Sequence, residues 1–405
     1  MQNWLDVAVS APAHSQVGGL LTYVTELPVT VGQLVRVPFG NREVLGVVWG
    51  VHTTAPDSLS THTLRQVTAV LDGIEPLSAN WRQLVQFSAQ YYQRALGEVA
   101  MAALPPQLRD LTPVQMARRL KKQPASTEAL AAALQSPWPL SPQQTEVLAQ
   151  MAAAPGPFLL HGATGSGKTE VYLQAVARCL ADNPKAQALM MVPEINLTPQ
   201  LEARVKARFG DEGVVSMHSG MTGPQRLKSW LAAHQGSARI VLGTRMAIFA
   251  SMPHLKWIVV DEEHDASYKQ QEGARYSARD LAIYRARLEG AKVILGSATP
   301  SLESWHHSRP AAEGGRYVRL PMPARIGAGQ LPFVRRVDMN HQPRKTVLSA
   351  PLMAAIQERV AKGEQSMLLL NRRGYAPVLH CADCGWKSEC SHCSAFRVFH
   401  KIDRT

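Results

Sequence analysis

The segment GPFLLHGATGSGKTEVYLQAVARCL, residues 156–180, constrains the fold more than any other part of the chain. It contains a short apolar run, then a glycine-rich loop, then the apolar pattern of a buried helix. The loop fits the pattern G-x-x-x-x-G-K-[ST] in full. Its glycines let backbone N–H groups curl around a phosphate, and the helix N-terminus adds its positive dipole end. The segment therefore predicts a nucleoside triphosphate site between a strand and a helix, and an accidental glycine-rich turn is the weaker alternative.

The predicted nucleotide site has two halves. The phosphate-binding residues are Gly162, Ala163, Thr164, Gly165, Ser166, Gly167, Lys168 and Thr169. Lys168 is expected to reach the β- and γ-phosphates and Thr169 to bind Mg²⁺. The stretch WIVVDEEH supplies the second half, because carboxylates follow a buried strand at the end where ligands bind in open α/β sheets. Asp261 is expected to hold Mg²⁺ through water and Glu262 to orient and deprotonate the attacking water, so Lys168, Asp261 and Glu262 are the predicted catalytic residues. The alternative is a solvated acidic turn.

Short apolar runs alternate with helical patterns from about residue 140 onwards. The runs QALMMVP, ARIVLGT, LKWIVVDE and AKVILGSAT join FLL as predicted strands. This alternation predicts a parallel sheet with helices on both faces. Residues 1–106 instead read as a small β-rich domain, with QLVRVPFGN and EVLGVVWGVHT forming two strands around a turn at Gly40-Asn41 and NWRQLVQFSAQYYQRAL forming a helix. The predicted class is α/β.

The chain is strongly basic, with a formal net charge of +12 and a pI of about 9.6 over 405 residues. This excess points to a polyanion partner, and a basic solvated surface is the alternative. The sequence has no signal-peptide pattern and no run of 18 apolar residues, which predicts a cytoplasmic location without membrane contact.

Four of the five cysteines cluster near the C-terminal end of the sequence. Cys381, Cys384, Cys390 and Cys393 form C-x₂-C-x₅-C-x₂-C, a spacing typical of zinc sites, with disulfides as the alternative. The fifth, Cys179, lies in a helical apolar pattern and is expected in the core.

Several motifs together resemble the PriA family of bacterial replication-restart helicases. The stretch DEEH (Asp261, Glu262, Glu263, His264) resembles the DExH box of superfamily 2 helicases. GSATP (296–300) resembles their motif III and GTR (243–245) their motif Ib. The stretches VPEINLTPQ, YKQQEGARYSARDLA and LLNRRGYAPVLHCADCG resemble this family in particular. The resemblance implies a RecA-like ATPase lobe, ATP with Mg²⁺, and forked and single-stranded DNA as substrate.

The resemblance also implies roles for individual residues. The family's N-terminal domain binds the 3′ end of a nascent strand, and its pocket corresponds here to Gly40 and Arg65. A family F-D-Y element corresponds to Leu21-Thr22-Tyr23, which lacks the aspartate. Further DNA contacts are implied for Arg245 and for Tyr268 and Tyr276 of the aromatic-rich loop, where rings among cations suit single strands. Gln144 resembles a glutamine that reads adenine.

The resemblance divides the chain into six parts. They are 1–106, the 3′-end DNA-binding domain; 107–138, a linker or reduced winged helix; 139–310, ATP-binding lobe 1; 311–345, a connector; 346–380, the start of an incomplete lobe 2; and 381–405, a partial zinc module. The family's zinc module has eight cysteines and two Zn²⁺ ions, so the four present predict half-sites or one rearranged site. Single-strand-binding protein and other primosome proteins are implied partners, and a monomer is expected.

One feature of the family's second lobe has no counterpart in the sequence. The arginine-finger string Q-x-x-G-R-x-G-R does not occur, and such arginines contribute roughly 10³–10⁵ in rate in related phosphoryl-transfer systems. The resulting hypothesis is a C-terminally truncated 3′→5′ DNA helicase of replication restart that hydrolyses ATP poorly. One alternative is a catalytically inactive DNA- and ATP-binding remnant. A P-loop ATPase acting on something other than nucleic acid is a third, which the charge and the DExH series disfavour.

Overall fold

The computed structural model describes residues 2–11, 19–55, 64–109, 111, 114–115, 139–193, 198–326, 332–343, 346–369 and 388. The chain forms two compact units, residues 1–329 and 330–405. The first unit contains a small antiparallel sheet and a larger parallel one, and the two share a hydrophobic core. No helix in the described parts of the chain is long and apolar enough to cross a lipid bilayer.

The N-terminal sheet is antiparallel and has the strand order β2-β1-β4-β3-β5. Its strands are β1 (Asn3–Val9), β2 (Leu21–Thr25), β3 (Leu34–Phe39), β4 (Arg42–His52) and β5 (Ala69–Val70). The predicted hairpin is confirmed, since Phe39 pairs with Arg42 across the two-residue turn Gly40-Asn41. Gly40 has φ of +60°, the left-handed conformation that glycine adopts most easily in a tight turn.

Two helices follow this sheet where the sequence predicted one. Helix α1 spans Ala79–Tyr91 and α2 spans Leu96–Ala102, followed by a 3₁₀ turn at Pro106–Arg109. The chain breaks between the helices at Gln93, whose φ of +54° ends the first one. A Cβ on Gly97 would lie 1.7 Å from the carbonyl oxygen of Val9, so only glycine lets α2 rest directly on β1.

The second sheet has seven parallel strands in the order β12-β6-β11-β10-β7-β9-β8. They are β6 (Phe158–Gly162), β7 (Gln187–Met191), β8 (Val214–Met217), β9 (Ile240–Gly243), β10 (Leu255–Asp261), β11 (Lys292–Ser297) and β12 (Val318–Met322). The five predicted strands are all present, and β8 and β12 are additional. Strand β12 lies within the predicted connector 311–345 and pairs with β6 at the sheet edge. Its Pro321 obscured the pattern, but an edge strand tolerates proline.

Helices cover both faces of this sheet, as predicted. They are α3 (Pro142–Ala153), α4 (Lys168–Asp182), α5 (Thr198–Phe209), α6 (Gly223–His234), α7 (Ala278–Glu289) and α8 (Leu302–His307), with 3₁₀ turns at Arg245–Phe249, Ala266–Tyr268 and Ala311–Glu313. Alternate strand residues enter different cores. Ile258 and Val260 pack with α6 and α7, whereas Val259 packs with α3, α4 and α5. This two-residue period is the reason a parallel sheet needs apolar residues on both faces.

The N-terminal domain packs on the α7 side of the parallel sheet. The rings of Phe87 on α1 and Tyr284 on α7 stack with centroids 3.8 Å apart. The buried side chain of Trp81 joins the same core and donates from Nε1 to the carbonyl oxygen of Phe249 at 2.8 Å. The two sheets of residues 1–329 are therefore joined through a buried and hydrogen-bonded contact.

The second unit contains one helix in its described part. Helix α9 spans Ala350–Ala361, begins at an N-cap serine, Ser349, and follows a 3₁₀ turn at Met339–His341. The predicted strand SMLLLNRRGY is wrong over residues 366–369, which form no strand and are exposed. Among the described residues no strand pairs with this segment, so its backbone has no ladder to join. The rest of that segment lies outside the described residues.

Candidate nucleotide and DNA sites

The glycine-rich loop between β6 and α4 has the geometry of a phosphate cradle. Gly165 and Gly167 have φ of +82° and +85°, and Gly167 is the N-cap of α4. The Nζ of Lys168 donates to the carbonyl oxygen of Gly162 at 2.8 Å, which holds the ammonium over the loop. The hydroxyl oxygen of Ser166 is buried and has no hydrogen-bond partner among the described residues. An anion with several acceptor oxygens fits such a set of donors.

Gln144 is fixed against this loop by a capping box. Its Oε1 accepts from the N–H of Ser141 at 2.9 Å, and its Nε2 donates to the carbonyl oxygen of Gly167 at 3.2 Å. The side chain is buried beside the loop. Its predicted reading of adenine stays a prediction, and the observed contact is to the loop itself.

Asp261 ends β10 beside the glycine-rich loop. Its Oδ1 accepts from the Tyr172 hydroxyl at 3.0 Å and from the N–H of Glu262 at 3.1 Å. Burial, and then the charge of Glu262, raise the pKa of the Asp261 carboxyl. Thr169 and Asp261 offer hydroxyl and carboxylate oxygens, the donor set that Mg²⁺ prefers, so the residues fit this ion.

Glu262 occupies a conformation that is rare outside glycine. Its φ is +45°, and its half-exposed carboxylate lies 3.6 Å from Nδ1 of His264. Non-glycine residues in this region cost about 1–3 kcal/mol each and persist mainly at functional sites. This residue directly follows Asp261, the last residue of β10, where the sequence predicted a base for water.

Glu263 and His264 connect this strand to the GSATP segment. The Glu263 carboxylate is 1% exposed and accepts from the N–H of Ser301 at 2.7 Å and from the Ser304 hydroxyl at 2.8 Å. Nδ1 of His264 lies 2.7 Å from the hydroxyl of Ser297. The two residues therefore make different contacts. Glu263 fixes the start of α8, whereas His264 links the end of β10 to the GSATP segment.

A groove of about 920 Å³ opens beside the predicted DNA contacts. Its lining includes Arg245 and Tyr276 from the helicase lobe and Glu98 from α2 of the N-terminal domain. Burial raises the pKa of Tyr276 to about 12, so this hydroxyl stays protonated at neutral pH. Its ring makes an edge-to-face contact with Phe249, with centroids 5.0 Å apart.

Tyr268 does not line this groove. Its ring is 2% exposed, and its hydroxyl donates to the carbonyl oxygens of Met191 at 3.0 Å and Asp261 at 2.6 Å. The predicted stacking face is therefore absent in this conformation, because the ring lies in the core. The tyrosine anchors the aromatic-rich loop to the strand that carries Asp261.

Gly40 and Arg65 meet in the N-terminal domain, although they lie 25 positions apart. Nη1 of Arg65 donates to the carbonyl oxygen of Gly40 at 2.6 Å, and both residues are exposed. The hydroxyl of Tyr23 donates to the carbonyl oxygen of Pro38 in the same region. The structure thus brings together two residues that the family resemblance placed in one pocket.

Sequence reasoning missed Asp6, which lies opposite Thr22 across the β1–β2 ladder. The Thr22 hydroxyl lies 3.5 Å from Oδ1 of Asp6, and Nε2 of His52 lies 2.8 Å from Oδ2. A carboxylate therefore stands next to the position where the family's aspartate is missing. No local signal in the sequence WLDVAV identifies it, because the strand pairing alone brings it there.

The four clustered cysteines, Cys381, Cys384, Cys390 and Cys393, lie outside the described residues. Within the part of the chain that is described, no group of three or more His, Cys, Asp or Glu side chains could hold a metal ion. Cys179 is partly buried against the core, and burial raises its thiol pKa to about 11.

The fold and the site define a helicase ATP-binding lobe joined to a DNA-binding domain. Residues 141–307 match the DEAD/DEAH box helicases, and residues 6–105 match the 3′DNA-binding domain (3′BD). The chain belongs to the PriA family. Replication restart protein PriA of Treponema pallidum is 33% identical over 99% of this chain and 59% of its own length. The PriA protein of Bacillus subtilis is 44% identical over 60% of this chain and 30% of its own length. The PriA protein of Haemophilus influenzae is 44% identical over 60% of this chain and 32% of its own length.

The chain spans less than two thirds of the length of these relatives. A solved structure, that of the DUF1998 helicase MrfA, aligns with a TM-score of 0.41 at 18% identity, over 62% of this chain and 39% of that one. Such a likeness is too low to bear on function.

Proposed function

We propose that this chain supplies the ATP- and DNA-binding parts of a 3′→5′ DNA helicase that recognises abandoned replication forks and starts primosome assembly. The named relatives are replication restart proteins, and both family domains support DNA as the partner. The net charge of +12 agrees with a polyanion substrate.

One observation carries the proposal: a continuous set of contacts joins the nucleotide site to the DNA groove. The hydroxyl of Tyr268 donates to the carbonyl oxygen of Asp261, at the strand end that bears the acidic box. The residue before Tyr268, Ser267, accepts at its carbonyl oxygen from Nη1 of Arg245 at 3.1 Å. Arg245 lines the groove. These hydrogen-bonded groups provide a route by which a shift at the acidic box would reach the groove, as an ATP-driven DNA motor requires.

The residues of the nucleotide site divide the chemistry among them. The loop N–H groups and Lys168 bind the phosphates and stabilise the charge that develops on them. Glu262 orients the attacking water and accepts its proton. Thr169 and Asp261 would hold Mg²⁺, which neutralises charge on the β- and γ-phosphates when bound. Gln144 would complete the site on the adenine side.

The N-terminal domain would bind the 3′ end of a DNA strand. Arg65 offers a guanidinium to the terminal phosphate, and Gly40 leaves the backbone open to close approach, since a Cβ there would meet nothing within 4 Å. Asp6 would supply the carboxylate that accepts from a 3′-hydroxyl. Single-strand-binding protein, other primosome proteins and Zn²⁺ at the four cysteines remain expectations, and metal analysis of the purified chain tests the last of these.

The first experiment measures ATP binding and turnover by the purified chain, with and without forked DNA. Lys168→Ala should abolish ATP binding, whereas Lys185→Ala, an exposed lysine beyond α4, should leave it intact. Binding without DNA-stimulated turnover would favour the inactive binding module. Salt-independent association with forked DNA would contradict the DNA assignment.

The second experiment tests the 3′-end pocket. Arg65→Ala and Asp6→Asn should weaken binding to a recessed 3′-hydroxyl end by about tenfold, from the loss of one charge-assisted hydrogen bond. Both variants should bind an internal single strand as the wild type does. Equal loss on both DNAs would show that these residues have no end-specific role.

A further inference from the structure

The hydroxyl of Tyr172 is the one side-chain donor to the carboxylate of Asp261 among the described residues. Tyr172 lies on α4, three positions after Thr169, so the two residues share one face of the helix. The tyrosine is 1% exposed, and its hydroxyl reaches Oδ1 of Asp261 at 3.0 Å. A buried ring that fills the core thus ends in a hydroxyl at the acidic box.

Both hydrogen bonds to this carboxylate end on the same oxygen. Oδ1 of Asp261 accepts from the Tyr172 hydroxyl and from the N–H of Glu262. Oδ2 accepts no hydrogen bond from the described residues. Two donors on one oxygen fix the rotation of the carboxylate and decide which oxygen remains available to a cation or its water ligands.

The same hydroxyl touches the GSATP segment. A Cβ on Gly296 would lie 1.6 Å from the Tyr172 hydroxyl oxygen, so no other residue fits there without displacing the ring. The carbonyl oxygen of Gly296 accepts from the N–H of Glu263 at 3.0 Å. The hydroxyl of Tyr172 is therefore enclosed between the acidic box and GSATP, and a shift of either would move it.

We propose that Tyr172 is a positioning residue, whose hydroxyl orients the Asp261 carboxylate for Mg²⁺-ATP and requires glycine at position 296. The inference rests on the proposed ATP site. In this proposal the tyrosine acts through the carboxylate of Asp261, to which its hydroxyl donates. A merely structural tyrosine would stabilise the fold without changing how nucleotide binding depends on the metal.

The test compares Tyr172→Phe with the wild-type chain, since phenylalanine keeps the ring and removes only the hydroxyl. A fluorescent ATP analogue is titrated in EDTA and then at rising Mg²⁺ concentration. We expect affinity in EDTA within about twofold of wild type, and a Mg²⁺ midpoint raised about tenfold, the effect of one hydrogen bond to a charged group. Direct Mn²⁺ binding, followed by electron paramagnetic resonance with nucleotide present, should weaken by the same factor.

A double-mutant cycle separates positioning from general packing. Asp261→Asn should raise the Mg²⁺ midpoint by itself, and adding Tyr172→Phe should raise it no further, because the hydroxyl acts through the carboxylate. Tyr317→Phe, a half-buried tyrosine elsewhere in the lobe, serves as the control and should keep the wild-type midpoint. Additive effects in the cycle would overturn the proposal.

A further measurement does not depend on whether Tyr172→Phe folds. With tyrosines labelled at ¹³Cζ and their resonances assigned, Asp261→Asn should shift that of Tyr172. The assignment separates it from Tyr268, whose hydroxyl donates to the backbone carbonyl of Asp261. An unchanged Tyr172 resonance would overturn the proposal. An unchanged Mg²⁺ midpoint in Tyr172→Phe would overturn this inference alone. A wild-type chain that binds no nucleotide would overturn the proposed function and the inference with it.

Discussion

The indole Nε1 of Trp81 in the N-terminal domain donates a hydrogen bond of 2.8 Å to the carbonyl oxygen of Phe249 in the helicase lobe. Phe249 ends the 3₁₀ turn that begins with Arg245. Both neighbouring carbonyl oxygens, those of Ile248 and Ala250, accept from the buried guanidinium of Arg285 at 2.6 and 2.7 Å. The turn that bears Arg245, the predicted DNA contact, is thus held from both domains at once.

Trp81→Phe should destabilise this junction by about 2–4 kcal/mol. The change leaves a buried carbonyl oxygen without its donor and opens space in the core. Urea denaturation measures the free energy of unfolding. Trp305→Phe is the control, since Trp305 is 39% exposed and should cost under about 1 kcal/mol. Equal losses in the two variants would mean that the hydrogen bond contributes little.

Arg245→Ala should weaken binding to single-stranded DNA by about tenfold. The slope of the logarithm of the binding constant against the logarithm of the salt concentration should become less steep by about one, as expected for one lost phosphate contact. Filter binding or fluorescence anisotropy at several salt concentrations measures both quantities. Arg204→Ala removes an exposed arginine of α5, which does not line the groove, and should change affinity less than about twofold. Equal losses of affinity in both variants would mean that Arg245 contributes only through the net positive charge of the protein.

Glu263→Gln should lower the free energy of unfolding by about 1–3 kcal/mol, whereas Glu262→Gln should change it by less than about 0.5 kcal/mol. Glu263 is a buried carboxylate with several donors, among them the Ser301 N–H and the Ser304 hydroxyl, and an amide cannot accept from all of them. Glu262 is half-exposed. Thermal or urea melts of the two single variants compare adjacent residues of one motif, and the reverse order of stability would refute their assigned places.

Stability should fall on acidification because of His234. Burial lowers the pKa of this imidazole below its ordinary value of 6.5, so the folded chain keeps it neutral while the unfolded chain takes up a proton. Its contribution is fully present above about pH 6.5 and is lost as the pH falls towards the lowered pKa. Its ring bonds to Ser251 and to the carbonyl oxygen of Glu75.

His234→Gln provides the comparison for this pH dependence. Glutamine cannot titrate, so the variant should be less stable at pH 8 yet lose less stability between pH 7 and pH 5.5 than the wild type. Urea melts at each pH measure the difference. Parallel curves for the two proteins would assign the acid sensitivity to other groups.

Local patterns were sufficient to predict structure wherever a feature lies in one short segment. The spacing of the glycines and the lysine predicted the phosphate loop, because the N–H groups of such a loop before a helix form an anion-binding site. The strand alternation likewise predicted the parallel sheet, since buried strands must be apolar on both faces. The pattern failed at β12, where Pro321 and alternating polar residues hide an edge strand.

The sequence by itself determined the nucleotide loop, the acidic strand end and the family, because each depends on residues close together in the chain. Only the tertiary structure decided which residues meet across it. It placed Tyr172 on Asp261, 89 positions away, Asp6 beside Thr22, and the ring of Tyr268 in the core. Such contacts depend on the order of the strands and on the direction in which each side chain leaves its helix or strand. The spacing of residues within a short segment predicts neither of these.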